Sequence, residues 1–97
     1  VFRIWERKCR RTGATLVKAE LPALPDSVAE FVERFFAPCT ERTRVVVFSH
    51  ITSATALVFP IREILAEAKR RGLISVVDGP HAIAQREVDL AAFDCDY

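Results

Sequence analysis

A chain of 97 residues with 14 Lys and Arg against 13 Asp and Glu carries a formal charge of +1. The two signs are interleaved, so there is no electrostatic footprint for nucleic acid or an anionic membrane, and small-molecule or protein partners are expected instead. The length admits at most one small domain, yet 51% of the residues are hydrophobic, which predicts a piece of a larger domain whose core the chain does not enclose alone.

Cys9, Cys39 and Cys95 are odd in number and lack CxxC or zinc-type spacing, which fits reduced thiols in the cytoplasm rather than a disulfide framework. No run of apolar residues reaches membrane length, and there are no internal repeats. The opening Val1-Phe-Arg-Ile-Trp5 is already helix-like and the closing Asp94-Cys-Asp-Tyr97 reads as the approach to a strand, so neither end resembles a natural terminus.

In chain order, Phe2, Trp5 and Cys9 share one helical face, and Thr12-Gly13 follows a basic last turn, which predicts a helix end. Residues 14–21 alternate loosely and predict a strand. Leu21-Pro-Ala-Leu-Pro25 is a rigid connector, and Ser27 with Glu30 three residues later forms a capping-box pattern. Val28, Phe31, Val32, Phe35 and Phe36 repeat at helical spacing until Pro38 and the polar residues 40–43 end the run.

Residues 44–49 carry an uninterrupted β-branched and aromatic run, Val45 to Phe48, the signature of a strand buried on both faces. Pro60 suits a helix start, Ile61, Ile64, Leu65 and Ala68 form an apolar stripe, and Gly72 stops the helix. Residues 73–77 form a second buried strand. Two strands joined by one helix call for a parallel crossover, so their carboxyl ends share an edge, where open α/β sheets bind ligands. Ser49, His50, Thr52 and Ser53 end the first strand, and Asp78 and His81 end the second.

Two readings of Asp78 stay open on this pattern. A carboxylate closing a buried strand is costly unless paired, and a cationic ligand would stabilise it; alternatively Asp78-Gly-Pro80 is an ordinary turn in which the Asp caps the segment that follows. His81 can face the same pocket and exchange a proton near neutral pH, or serve the fold alone. Ser53, Thr52 and Thr55 are either ligand contacts or loop hydroxyls. His50, Asp78 and His81 are suitable metal ligands by type, without diagnostic spacing. No G-x-G-x-x-G follows a strand, which argues against a dinucleotide site. Cys95 lies between Asp94 and Asp96, whose charges disfavour a thiolate, so it is not a candidate nucleophile.

The order Thr43-Arg-Val-Val-Val-Phe-Ser-His-Ile-Thr-Ser-Ala-Thr55, Pro60-Ile61, Val77-Asp-Gly-Pro-His-Ala82 and Val88-Asp-Leu90 resembles the class V aminotransferase family, fold type I pyridoxal phosphate enzymes. The nearest branch is isopenicillin N epimerase-like, with cysteine desulfurases as relatives, and Arg11-Thr-Gly-Ala14 extends the resemblance over nearly the whole chain. It implies an α/β fold: parallel strands with covering helices, part of the three-layer large domain that binds the cofactor, incomplete at both ends of residues 1–97. It also implies pyridoxal 5'-phosphate as cofactor, an amino-acid-like substrate and a cytoplasmic homodimer.

In that family the residue matching Asp78 pairs with the pyridine nitrogen and keeps it protonated. His81 falls where relatives place a Gln or His near the phenolic oxygen, and Ser53 where desulfurases carry an Asn touching the same oxygen. Ala56 stands where a Gly is common and Pro80 where an Ala is usual. The resemblance implies a Schiff-base Lys shortly beyond Tyr97, and Lys8, Lys18 and Lys69 fall at positions away from the crevice; no catalytic residue is assigned in this chain, which alone is expected to be inactive. Two rival readings are a noncatalytic α/β module of the same fold, and an unrelated hydrolytic or metal-binding domain using Asp78 and His81.

Overall fold

The computed structural model describes all residues, Val1–Tyr97. Helix α1, Phe2–Thr12, ends at Gly13, whose φ of 73° is a left-handed conformation that costs glycine little. Arg10 and Arg11 in its last turn complement the carbonyl end of the helix dipole. None of its residues is buried. The strand expected over 14–21 is not formed: residues 15–25 make no main-chain hydrogen bond to any other backbone group. Alternation alone does not hold a strand. A ladder partner must satisfy its N–H and C=O groups, and no other backbone bonds to residues 15–21.

Helix α2, Val28–Phe36, begins at the predicted cap, where the Glu30 N–H donates to Ser27 Oγ at 3.1 Å. The Glu30 carboxylate reaches back one residue further than the usual capping box, accepting from the Asp26 N–H at 2.9 Å, and it also pairs with Arg34. These contacts hold its carboxyl below the ordinary value, the Asp26 N–H contributing most. Phe31, Phe35 and Phe36 enter the core, where Phe31 meets Phe59 edge-on at 4.7 Å and Phe35 meets Phe48 at 5.4 Å.

Strands β1, Val45–Ser49, and β2, Ile74–Asp78, pair in parallel from Val45 opposite Ile74 to Ser49 opposite Asp78. Helix α3, Ile61–Arg70, is the crossover, and its predicted stripe of Ile61, Ile64, Leu65 and Ala68 is entirely buried. It closes in a Schellman arrangement: Leu73 N–H donates to the Ala68 carbonyl and Gly72 N–H to that of Lys69, with Gly72 at φ 66°. The architecture is α/β, with parallel strands under covering helices.

Burial of β1 on both faces is not realised within this chain. Val46 and Phe48 are buried against α2 and α3, whereas Val45 is 37% exposed and Ile74 beside it 45%. Successive side chains point to opposite faces, and both packed helices lie with Val46 and Phe48 in one core cluster. The sheet has two strands, and on the side of β2 away from β1 a single residue, Tyr97, bonds to it through its main chain. Val77 N–H donates to the Tyr97 carbonyl at 2.8 Å and Tyr97 N–H to that of Ser75 at 3.1 Å, the bonding of a parallel bridge opposite Val76. A final irregular element, η1 at Leu90–Ala92, is a single 3-10 turn capped by Asp89.

Candidate functional site

The register brings the two strand ends to one edge. Ser49 lies opposite Asp78, and beyond that rung the His50 N–H donates to the Asp78 carbonyl at 2.9 Å. The main chain of Asp78 is therefore fixed while its half-buried carboxylate has no hydrogen-bond partner. A cap on the segment after Pro80 would have used that carboxylate. The turn instead closes on main-chain groups, Ala82 N–H donating to the Gly79 carbonyl at 3.0 Å, and wholly buried Ala82 anchors it.

After β1 the chain doubles back. Ile51 bridges Val58 antiparallel, Phe59 N–H donates to the His50 carbonyl, and Thr52 N–H to that of Leu57. The hydroxyls that shape this turn belong to Thr52 and Thr55, 2.6 Å apart, with the Leu57 N–H also donating to Thr52 Oγ1. Ser53 sits exposed at the tip with its hydroxyl uncommitted. Ala56 in the same turn has φ 52°, a left-handed conformation that accounts for the preference for glycine there.

His81 is exposed and unbonded on the outside of the turn after β2. No hydrogen bond joins Ser53, Asp78 and His81 to one another; what they share is the carboxyl edge of the parallel pair, each with a polar group not used by the fold. His50 differs. It is 7% exposed, its ring lies edge-on to Phe93 at 5.5 Å, and burial, aided by the charge of Arg86, pulls its pKa below the ordinary value. The reading of His50, Asp78 and His81 as a metal site is not supported by this placement, because no three His, Cys, Asp or Glu side chains converge.

The lysines of the chain stay away from this edge: Lys8 lies on α1, Lys18 stands 3.9 Å from the centre of the Phe2 ring, and Lys69 pairs with Asp94, which raises its pKa. Two concavities also lie elsewhere, one of about 580 Å³ along Arg3, Arg7 and Arg10 of α1, the other of about 220 Å³ between α3 and the closing segment at Ala92 and Asp94. Two features of the site are absent from the local sequence pattern: Arg86 acting on His50, and a bonded pair formed by Asp96 and Ser75, 21 residues apart.

Against known proteins, the family model described as "Aminotransferase class-V" matches residues 1–97. The chain is 42% identical over 93 residues to an isopenicillin N epimerase of Streptomyces clavuligerus and 44% identical over 94 residues to one of Amycolatopsis lactamdurans. It is 33% identical over 93 residues to a cysteine desulfurase of Cronobacter sakazakii. Each alignment takes in 96% of this chain, which spans about a quarter of the relatives it matches, 23%, 24% and 22% of their lengths respectively. Parallel strands joined by a helix that buries its apolar stripe, with Asp78 at their carboxyl edge, thus coincide with a match over every residue: this chain belongs to the class-V aminotransferase family.

Proposed function

We propose that this chain forms part of the cofactor site of a pyridoxal 5'-phosphate enzyme that acts on an amino-acid-like substrate. The observation that carries the reading is the Asp78 carboxylate: half-buried, at the carboxyl end of β2, on a main chain fixed by His50, and without a partner. Such a group suits a protonated ring nitrogen, because an ionised carboxylate and a pyridinium each stabilise the charged form of the other. Ser53 and His81, with unused polar groups on the same edge, suit hydrogen bonds to the phenolic oxygen of the ring.

When bound, the cofactor supplies an electron sink for a carbanion at the substrate's α carbon. Asp78 holds a proton on the ring nitrogen, and Ser53 and His81 orient the ring. Higher identity to the two epimerases, 42% and 44% against 33% for the desulfurase, supports an epimerase-like member of the family. The three cysteines are free thiols, which supports a reducing compartment such as the cytoplasm. A homodimer follows from the family analogy. No helix is long and apolar enough to cross a membrane.

The test is titration of the intact protein with pyridoxal 5'-phosphate, followed by visible absorbance, in wild-type and Asp78→Ala forms. Wild-type binding is expected to be about 10- to 100-fold tighter, the worth of a hydrogen bond to a charged group. Equal affinity with identical spectra would sink the reading.

A further inference from the structure

Main-chain groups of β2 alternate between two neighbours. Toward β1, Ile74 N–H donates to the Arg44 carbonyl and the Asp78 carbonyl accepts from His50; Ser75 and Val77 face the other way, where they bond Tyr97. One donor on that side is left over. In a longer parallel strand the Ser75 N–H would donate to the carbonyl of Cys95. It donates instead to Asp96 Oδ2 at 2.8 Å, the Ser75 hydroxyl donates to the same oxygen at 2.9 Å, and the Asp96 N–H donates to Ser75 Oγ at 3.1 Å.

Ser75 is only 3% exposed, so its hydroxyl and N–H would be costly if unpaired, and this one aspartate satisfies both. The flanking residues reinforce the seat: Phe93 lies against His50, Asp94 pairs with Lys69, and Cys95 packs on the core cluster. The arrangement selects one register. A slip of one residue would send every side chain to the opposite face, and a slip of two would keep the faces but separate Asp96 from Ser75.

We propose that Asp96 is a register-setting residue: its carboxylate stands in for a strand carbonyl opposite Ser75, locks Tyr97 opposite Val76, and so positions the strand edge beside Asp78 for its ligand. The first two parts concern this chain alone; the last rests on the proposed cofactor site. Ser75 is three residues upstream of Asp78 on the same strand, and the Tyr97 carbonyl that this register places accepts from the N–H of Val77, the residue next to Asp78.

The test uses the intact protein in wild-type, Asp96→Ala, Asp96→Asn and Ser75→Ala forms, by residue-resolved amide hydrogen exchange and by pyridoxal 5'-phosphate titration. In Asp96→Ala the amides of Ser75 and Val77 should exchange about tenfold faster or more, the size of a lost hydrogen bond to a charged group, while that of Ile74, which faces β1, keeps its rate. Asp96→Asn, which retains an acceptor oxygen, should recover much of the protection, and Ser75→Ala should mimic Asp96→Ala at Val77. Equal acceleration on both sides of β2 would indicate general loosening and overturn the register lock, as would no change.

The absorption maximum of the bound cofactor should shift in Asp96→Ala and return in Asp96→Asn. An unshifted maximum, with the local exchange change present, would overturn the positioning part. If the wild-type protein binds no pyridoxal 5'-phosphate, the proposed function fails and the positioning part with it, while the exchange pattern still decides the register lock.

Discussion

Ser49 and Asp78 face each other on the last rung of the parallel pair, and the rung is extended by the His50 N–H, which donates to the Asp78 carbonyl at 2.9 Å. The backbone of Asp78 thus belongs to the sheet while its carboxylate serves nothing in the fold. Replacing it by Asn should leave stability within about 0.5 kcal/mol, as for positions without a structural partner. Urea midpoints of the two forms would measure this; a loss near 2 kcal/mol would assign the carboxylate a structural bond.

His50 should make stability depend on mild acid. Its folded pKa is depressed by burial, so the unfolded chain takes up a proton before the folded one does. The contribution is fully present above the ordinary value of 6.5 and is lost as the pH falls from there toward the folded pKa. Thermal midpoints recorded between neutrality and pH 5 should fall in the wild-type protein and fall less in His50→Leu. Parallel profiles would show that another group is responsible.

Ile64 of α3 is fully buried in the core it shares with α2 and β1, so Ile64→Ala should cost about 2–5 kcal/mol through lost transfer energy and the cavity left behind. Ile4, 72% exposed on α1, is the control, and Ile4→Ala should change stability by less than about 0.5 kcal/mol. Equal effects in chemical denaturation would contradict the packing described.

Ala56 holds a left-handed backbone at φ 52°. Relief of that strain, about 1–2 kcal/mol, outweighs the extra chain entropy of glycine, about 0.5–1 kcal/mol, so Ala56→Gly should stabilise the protein by up to about 1 kcal/mol. A lower melting temperature for the variant would show that the turn relaxes without cost.

The parts of this structure legible in the sequence are those governed by near neighbours. The Ser27 and Glu30 cap, the Phe31, Phe35 and Phe36 face, the stripe from Ile61 to Ala68 and the stop at Gly72 all express helical spacing, and each is present. The apolar runs ending at Ser49 and Asp78 express strand propensity, and their pairing follows from the short helical crossover. What escaped depends on distant partners. Residues 14–21 have a strand-like pattern but no ladder to join, and β1 reads as doubly buried although only one of its faces meets helices here. At the site, the edge location of Asp78, His81 and Ser53 was readable. The enclosure of His50 under Phe93 and the Asp96 bond to Ser75 were not, because separations of 43 and 21 residues leave no periodic trace.

The unpaired backbone between α1 and α2 has a consequence for limited proteolysis. With no main-chain hydrogen bonds over residues 15–25, this connector needs little local opening to fit an extended protease cleft, whereas the backbones of α2, α3 and the strands are held in helical and ladder hydrogen bonds. Lys18 lies within it, its ammonium held only over an aromatic ring. Trypsin should therefore nick first after Lys18, releasing a helix that buries none of its residues and sparing the sheet edge that carries Asp78.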